Sequence, residues 1–205
     1  MADEQSVMGS YDELAPEYAA QRSARAGEET ALDAFLAALG PSPRVLDAGC
    51  GQGDPVLDRL DTAGTGVGLD FSRTQLDLAA ERVPGAPSVR GEIGHLPFRP
   101  RTFDGVTAFH SLIHVPNERD EAVLAEFARV LRPGGRLLLT EGVGEWVGSN
   151  PDWLDTGVEM AWEITGVETR RRQLRAAGFT VVNDRDVGEA DDEERWVVLD
   201  ARLTA

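Results

Sequence analysis

The chain has 205 residues, 36 of them acidic and 20 basic, and a formal net charge of −16. Its single cysteine excludes a disulfide framework, and no apolar run approaches the roughly 18 residues of a membrane helix. Binding to a nucleic-acid backbone is disfavoured for want of a basic patch, and His95, His110 and His114 lack acidic or thiol companions at metal spacing, so no metal site is expected.

The length suits one domain, 1–205, with a substantial core. The polar, acidic start at residues 1–6 does not read as a signal peptide, and a soluble cytoplasmic protein is expected. Every basic residue is arginine. So large an acid excess destabilises a compact chain by self-repulsion unless salt screens it. A salt-loving source would account for both features, whereas a GC-rich genome would account only for the missing lysine.

In chain order, Ser10-Tyr11-Asp12-Glu13 has the form of a capping box opening a short helix, with Pro16 breaking the segment in two. Leu32, Phe35, Leu36 and Leu39 mark one face of an amphipathic helix stopped by Gly40-Pro41. A first strand at 44–48 runs into Gly49-Cys50-Gly51-Gln52-Gly53, where three glycines alternate. Such a turn lets a ligand lie against bare main chain at the carboxyl end of a strand. The next helix opens at Asp54-Pro55, where a carboxylate can cap the free N–H groups and proline offers none. A phosphate there would meet a like charge, and no Gly-Lys-Ser/Thr follows, so the turn suits a ligand without phosphates.

A second strand at 65–69 delivers Asp70 to its end, and Ser72-Arg73-Thr74-Gln75 caps the helix beyond. A carboxylate in Asp70's position can accept from both hydroxyls of a ribose, or merely supplement the cap. Strand three spans 88–91, and strand four 103–109, ahead of His110-Ser111-Leu112-Ile113-His114. Asn117 is expected to cap a helix whose apolar face carries Val123, Leu124, Phe127, Val130 and Leu131. Pro133-Gly134-Gly135 turns into strand five, 136–140. Thr165-Gly166-Val167-Glu168 should cap a last helix, with Arg170-Arg171-Arg172 on a solvated face. Alternating runs at 179–187 and 195–203 close the chain as an antiparallel pair.

The segment 143–166 is far longer than an ordinary connection and holds Trp146, Trp153 and Trp162. Apolar rings on a loop must cover something. That points to an acceptor-binding insertion or, alternatively, to a subunit interface and a possible homodimer.

Four ordered stretches, Val45–Gly53, Gly68–Ser72, Gly91–Phe98 and Leu131–Leu137, resemble the motifs of the class I S-adenosyl-L-methionine (SAM) dependent methyltransferases. Among these, the chain is most similar to the small enzymes that resemble the quinone-biosynthesis methyltransferases. The resemblance implies an α/β, doubly wound, Rossmann-like sheet of seven strands in the order 3-2-1-4-5-7-6, the last antiparallel, with residues 1–40 as an N-terminal helical lid. It implies transfer of a methyl group from SAM to a small-molecule acceptor by in-line displacement.

The cofactor-binding positions are then Asp47, Gly49, Cys50, Gly51, Gly53, Asp70, Phe71, Glu92, Ile93, Phe109 and His110. Glu92 stands where the family usually carries Asp. Tyr11 and Tyr18 would belong to the lid and, with Trp146, Trp153 and Trp162, to the acceptor site; simple packing of the two tyrosines is the alternative. His110 and His114 are the catalytic candidates, against a purely structural role. The Asn/Asp-Pro-Pro-Tyr stretch of enzymes that methylate exocyclic amino groups is missing, which argues against adenine and glutamine acceptors. Two other readings are a SAM- or nucleotide-binding module without catalysis and an NAD-dependent oxidoreductase. The second is weakened by Gly-x-Gly-x-Gly in place of Gly-x-Gly-x-x-Gly.

Overall fold

A computed structural model describes residues 4–21, 26–187 and 195–204. The polar residues 1–3 at the N-terminus, part of the stretch read above for a signal peptide, lie outside the described residues. Five parallel strands form the centre of one sheet: β1 (Arg44–Ala48), β2 (Thr65–Asp70), β3 (Ser88–Arg90), β4 (Phe103–Ala108) and β5 (Leu131–Gly142). Two more strands, β8 (Phe179–Asp186) and β9 (Trp196–Leu203), complete it, with β9 antiparallel to both β5 and β8. The order is β3-β2-β1-β4-β5-β9-β8. With the separate hairpin β6 (Trp146–Asn150) and β7 (Met160–Ile164) set aside, this is the order 3-2-1-4-5-7-6 expected from the resemblance.

Period-two alternation explains the two-sided core. In β1, Leu46 faces a cluster with Val123, Leu124 and Phe127 of α5 (Asp120–Val130) and Leu174 of α6 (Val167–Ala176). Its neighbour Val45 faces the opposite cluster, with Leu32 and Phe35 of α2 (Ala26–Leu39) and Val56 and Leu60 of α3 (Val56–Ala63). Strand β5 repeats the division, sending Leu137 and Leu139 one way and Leu138 the other. Both faces being covered, the central strands are mostly apolar, as a parallel sheet requires, with Asp47 and Thr107 buried as a hydrogen-bonded pair between β1 and β4. Strand order reverses between β1 and β4, and ligands in open α/β sheets bind outside the carboxyl ends at such a point.

Several local expectations are corrected. Helix α1 (Glu4–Gln21) runs through Ser10 and keeps Pro16 inside it, so Ser10 caps nothing. The Ser10 hydroxyl instead donates to Glu159 O on the far side of the hairpin turn (2.7 Å). Asp54 does not cap α3; its carboxylate pairs with Arg82 (3.4 Å), and Pro55 takes the cap position. Asn117 starts a short 3-10 turn, 117–119, ahead of α5, and its amide oxygen accepts from Thr165 Oγ1 (2.6 Å). That bond also removes Thr165 from the cap of α6, which falls to Gly166. The helix that keeps its predicted cap is α4 (Arg73–Arg82), where Ser72 Oγ accepts from Gln75 N (3.2 Å). In each corrected case a tertiary partner has taken the side chain that a local cap would use.

Two larger corrections bear on the site. Arg170 is not on a solvated face but fully buried, donating to Glu141 (2.7 Å) and paired with Asp120 (3.0 Å). The segment 143–166 is not a loop: β6 and β7 pair in register from Trp146↔Ile164 to Asn150↔Met160.

Candidate active site

Beyond the carboxyl ends of β1, β2 and β4 lies a cavity of about 300 Å³. Its floor is the glycine turn. Gly49 has φ +80, and a Cβ there would sit 2.4 Å from Ser111 Cβ, so only glycine lets the turn after β1 nest against the loop after β4. Asp70 ends β2 and fastens this turn. Its two carboxylate oxygens accept from Gly51 N and Ser72 N, both at 2.9 Å. Burial outweighs these bonds and pushes its pKa up to about 6.

Of the predicted cofactor positions, Gly49, Gly51, Asp70, Phe71, Glu92, Ile93, Phe109 and His110 line the cavity. Asp47, Cys50 and Gly53 do not line it. Asp47 accepts from Thr107 Oγ1 (2.7 Å), and burial raises its pKa to about 7. The Cys50 thiol is also pushed up, chiefly by burial, and so is held as an unreactive thiol against Gly68 and Leu57. The carboxylate of Glu92 is mostly exposed and lies 3.9 Å from Arg119.

A second cavity, of about 890 Å³, opens between the hairpin and the sheet. Tyr11, Tyr18, His110 and His114 line both cavities and form the wall between them. Trp146, Trp153 and Trp162 line the second. The two tyrosines of α1 thus join the tryptophans: Tyr18 and Trp153 have ring centroids 5.6 Å apart, and Tyr11 and Trp153 6.2 Å.

The two histidines at this wall are held differently. His114 Nδ1 lies 3.1 Å from Ala161 O, which can only accept, so Nδ1 carries the hydrogen. Its Nε2 then bears the lone pair and accepts from the Tyr11 hydroxyl (2.8 Å). Burial lowers the His114 pKa to about 4, so the ring is neutral near pH 7. His110 follows β4 in the left-handed region (φ 50), its backbone N donating to Thr140 Oγ1 (2.6 Å) and its Nε2 paired with Glu28 Oε1 (2.5 Å). Glu28, on α2, is fully buried.

Sequence reasoning missed Glu28, Gln75, Ser111 and Trp196. Trp196 lines the second cavity from the start of β9, opposite Gly142 of β5, and packs on His110 (centroids 4.7 Å). The Gln75 amide and the Ser111 hydroxyl are buried at the first cavity with no hydrogen-bond partner. Their adjacency to a capping serine and to a candidate histidine was the available signal.

The first cavity fits SAM. Unpartnered buried polar atoms call for a polar ligand, the glycine cradle admits one close to the backbone, and the acids at Asp70 and Glu92 suit a cation bearing hydroxyls. Among the described residues no group of His, Cys, Asp and Glu is placed to hold a metal ion.

Comparison with known proteins agrees. The family described as "Methyltransferase domain" matches residues 46–139. A demethylmenaquinone methyltransferase of Lactiplantibacillus plantarum is 33% identical over 152 residues, covering 66% of this chain and 62% of that protein. The chain spans 37% to 62% of the length of the first curated relatives it matches. The structure of Burkholderia thailandensis 1,6-didemethyltoxoflavin-N1-methyltransferase, solved with 1,6-didemethyltoxoflavin and S-adenosylhomocysteine, superposes with a TM-score of 0.77 at 22% identity, covering 100% of this chain and 92% of that one. The [4+2]-cyclase SpnF shares the fold as well, at TM-score 0.73 and 24% identity, over 100% of this chain and 98% of its own. With the ordered motifs, the strand order and the glycine-floored cavity, these likenesses make the chain similar to the S-adenosylmethionine-dependent methyltransferases, residues 46–139 matching their domain.

Proposed function

We propose that this chain is an enzyme that transfers a methyl group from SAM to a small-molecule acceptor by in-line displacement. The supporting observation is the pair of cavities sharing one wall of Tyr11, Tyr18, His110 and His114. When bound, the cofactor supplies a methyl group activated by its sulfonium. The protein's own tasks are alignment and exclusion of water, and orientation alone is worth about 7–11 kcal/mol of the barrier. In this reading Asp70 accepts from the ribose hydroxyls, Glu92 from the adenine amino group, and Ile93 and Phe71 wall the adenosine. Asp47 and Cys50 support the turn. Residues 143–166 and the lid together select the acceptor.

Where the acceptor must lose a proton, His114 Nε2 is the supported destination, reached through the Tyr11 hydroxyl. His110 is fixed by Glu28 and orders the same wall. The composition supports work in a salt-rich cytoplasm and without a nucleic-acid partner. Relatives named for a demethylmenaquinone and a didemethyltoxoflavin substrate favour small molecules over macromolecules.

The test is calorimetry with SAM, S-adenosylhomocysteine and NAD, followed by turnover of labelled SAM over an acceptor panel. Binding of the first two but not NAD, with label transferred, is the expected result. Transfer should fall at least tenfold in Tyr11→Phe and His114→Gln, with SAM affinity kept within threefold. SAM binding without transfer to any acceptor would leave a binding module, and NAD binding would indicate an oxidoreductase.

A further inference from the structure

The larger cavity is walled by aromatic rings to a degree that narrows the acceptor. Every tryptophan of the chain, Trp146, Trp153, Trp162 and Trp196, and both tyrosines line it. The rings come from three separate places: helix α1, the hairpin and strand β9. They meet at close range, with centroids 5.3 Å apart for Trp153–Trp162 and 6.0 Å for Trp146–Trp162. A volume of about 890 Å³ lies toward the upper end of small-molecule sites, roughly 300–1,000 Å³, and is large for one ring.

Charge decides which aromatic-loving ligand belongs there. Aromatic cages also bind quaternary ammonium groups. Yet among the described residues Glu145 is the one acid on the lining of this cavity, and its Oε1 accepts from Thr169 Oγ1 (3.2 Å). The arginine on the lining, Arg195, is paired with Asp186. Among the described residues this cavity thus carries one lining carboxylate, whereas the cavity next door carries Asp70 and Glu92. A second cation would also be repelled by the sulfonium across the shared wall. Hydrogen-bonding groups gather at the inner end, at Tyr11, His110 and His114.

Resting on the methyl-transfer reading above, we infer that the acceptor is a flat, polycyclic aromatic molecule carrying a ring hydroxyl. Its rings lie among the tryptophans and its oxygen at the Tyr11–His114 pair. In the step, the acceptor oxygen forms the new C–O bond while the S–C bond breaks with its electron pair left on sulfur. The hydroxyl proton passes to the Tyr11 oxygen as the Tyr11 proton moves to His114 Nε2. Positive charge leaves the sulfonium and arrives on the imidazolium, so the site's net charge is unchanged.

Because all four tryptophans line one cavity, intrinsic fluorescence reports on it directly. The full chain is titrated, with correction for probe absorbance, with a hydroxyanthraquinone, with phenol and with choline, in parallel with calorimetry of S-adenosylhomocysteine. We expect saturable quenching by the hydroxyanthraquinone at least tenfold tighter than by phenol, no quenching by choline, and label transfer from SAM to its oxygen. Trp146→Ala, at a half-exposed ring, and Trp153→Ala should each weaken the hydroxyanthraquinone at least fivefold and leave S-adenosylhomocysteine affinity within twofold. Quenching by choline instead, or indifference to both substitutions, overturns the inference. If S-adenosylhomocysteine binds and label goes only to non-aromatic acceptors, this inference fails while methyl transfer stands. If S-adenosylhomocysteine does not bind, both fail.

Discussion

Replacing Asp70 with alanine tests the proposed cofactor site most directly. In the family reading its carboxylate accepts from two ribose hydroxyls, each bond to a charged acceptor contributing about 1.5–3 kcal/mol. Losing both should raise the Kd for SAM by roughly two to four decades, at tenfold per 1.4 kcal/mol. The structure adds a second cost. The same two oxygens accept from Gly51 N and Ser72 N at 2.9 Å, and each buried donor left without a partner costs about 1–3 kcal/mol of stability. Asp70→Ala is therefore expected to lower Tm as well as affinity, and calorimetry must be run on protein shown to be folded by circular dichroism. A cycle with 2′-deoxy-S-adenosylhomocysteine separates the two costs. Removing the ligand hydroxyl should cost the native protein at least tenfold and Asp70→Ala little further. A loss below fivefold in folded Asp70→Ala, or equal losses from the deoxy ligand in both proteins, would place the ribose elsewhere.

Three further outcomes are expected. Asp47 titrates near 7 in the fold against 3.8 for a free carboxyl, so between those values the native state holds a proton that the unfolded chain has released. Stability of the ligand-free protein should accordingly be greatest near pH 4 from this group and fall by about 4 kcal/mol as pH rises to 7, at roughly 1.4 kcal/mol per tenfold in proton affinity; urea titrations of Asp47→Asn should show that slope flattened. Arg170→Met strands the buried carboxylates of Glu141 and Asp120, a loss of about 3–5 kcal/mol in urea unfolding, and a change under 1 kcal/mol would show the network to be dispensable. With a net charge of −16, Tm should climb with KCl between about 0.1 and 1 M, where the screening length falls from about 10 to 3 Å; a flat curve would leave genome composition as the account of the missing lysines.

The sheet and the glycine turn beneath the first cavity were legible because their signals are local. Gly49 takes a positive φ within its own turn, although its contact with Ser111 is tertiary, and Val45-Leu46 announces a strand buried on both faces. Helix ends were legible only where the cap is local too: Ser72 bonds Gln75 three residues on, while Ser10 and Thr165 bond Glu159 and Asn117, which no spacing rule connects. Arg170 misled because an arginine run reads as solvent-facing. The spacing of Val167, Arg170 and Leu174, all buried, nonetheless marks one helix face. Trp196 was read as one member of an alternating strand, and its place at the second cavity follows only from β9 lying beside β5. The hairpin was hidden because Gly148 and the polar Ser149-Asn150 dilute its alternation.

The feet of the hairpin suggest how such proteins could be retargeted. The chain leaves the sheet at Gly142 and rejoins the body at Gly166, and these points are clasped together: a Cβ on Gly142 would meet Ile164 Cγ2 at 2.5 Å, and one on Gly166 would meet Gly144 C at 3.2 Å. Immediately beneath, Glu141 at one foot and Thr165 at the other are both tied into the Arg170–Asp120 network. Whatever sequence lies between is thus grafted onto an anchorage that belongs to the scaffold. Transplanting residues 146–164 from a protein of the same fold, with both glycines and the four anchoring side chains retained, would exchange the acceptor specificity as a cassette while the sulfonium site stayed as it was.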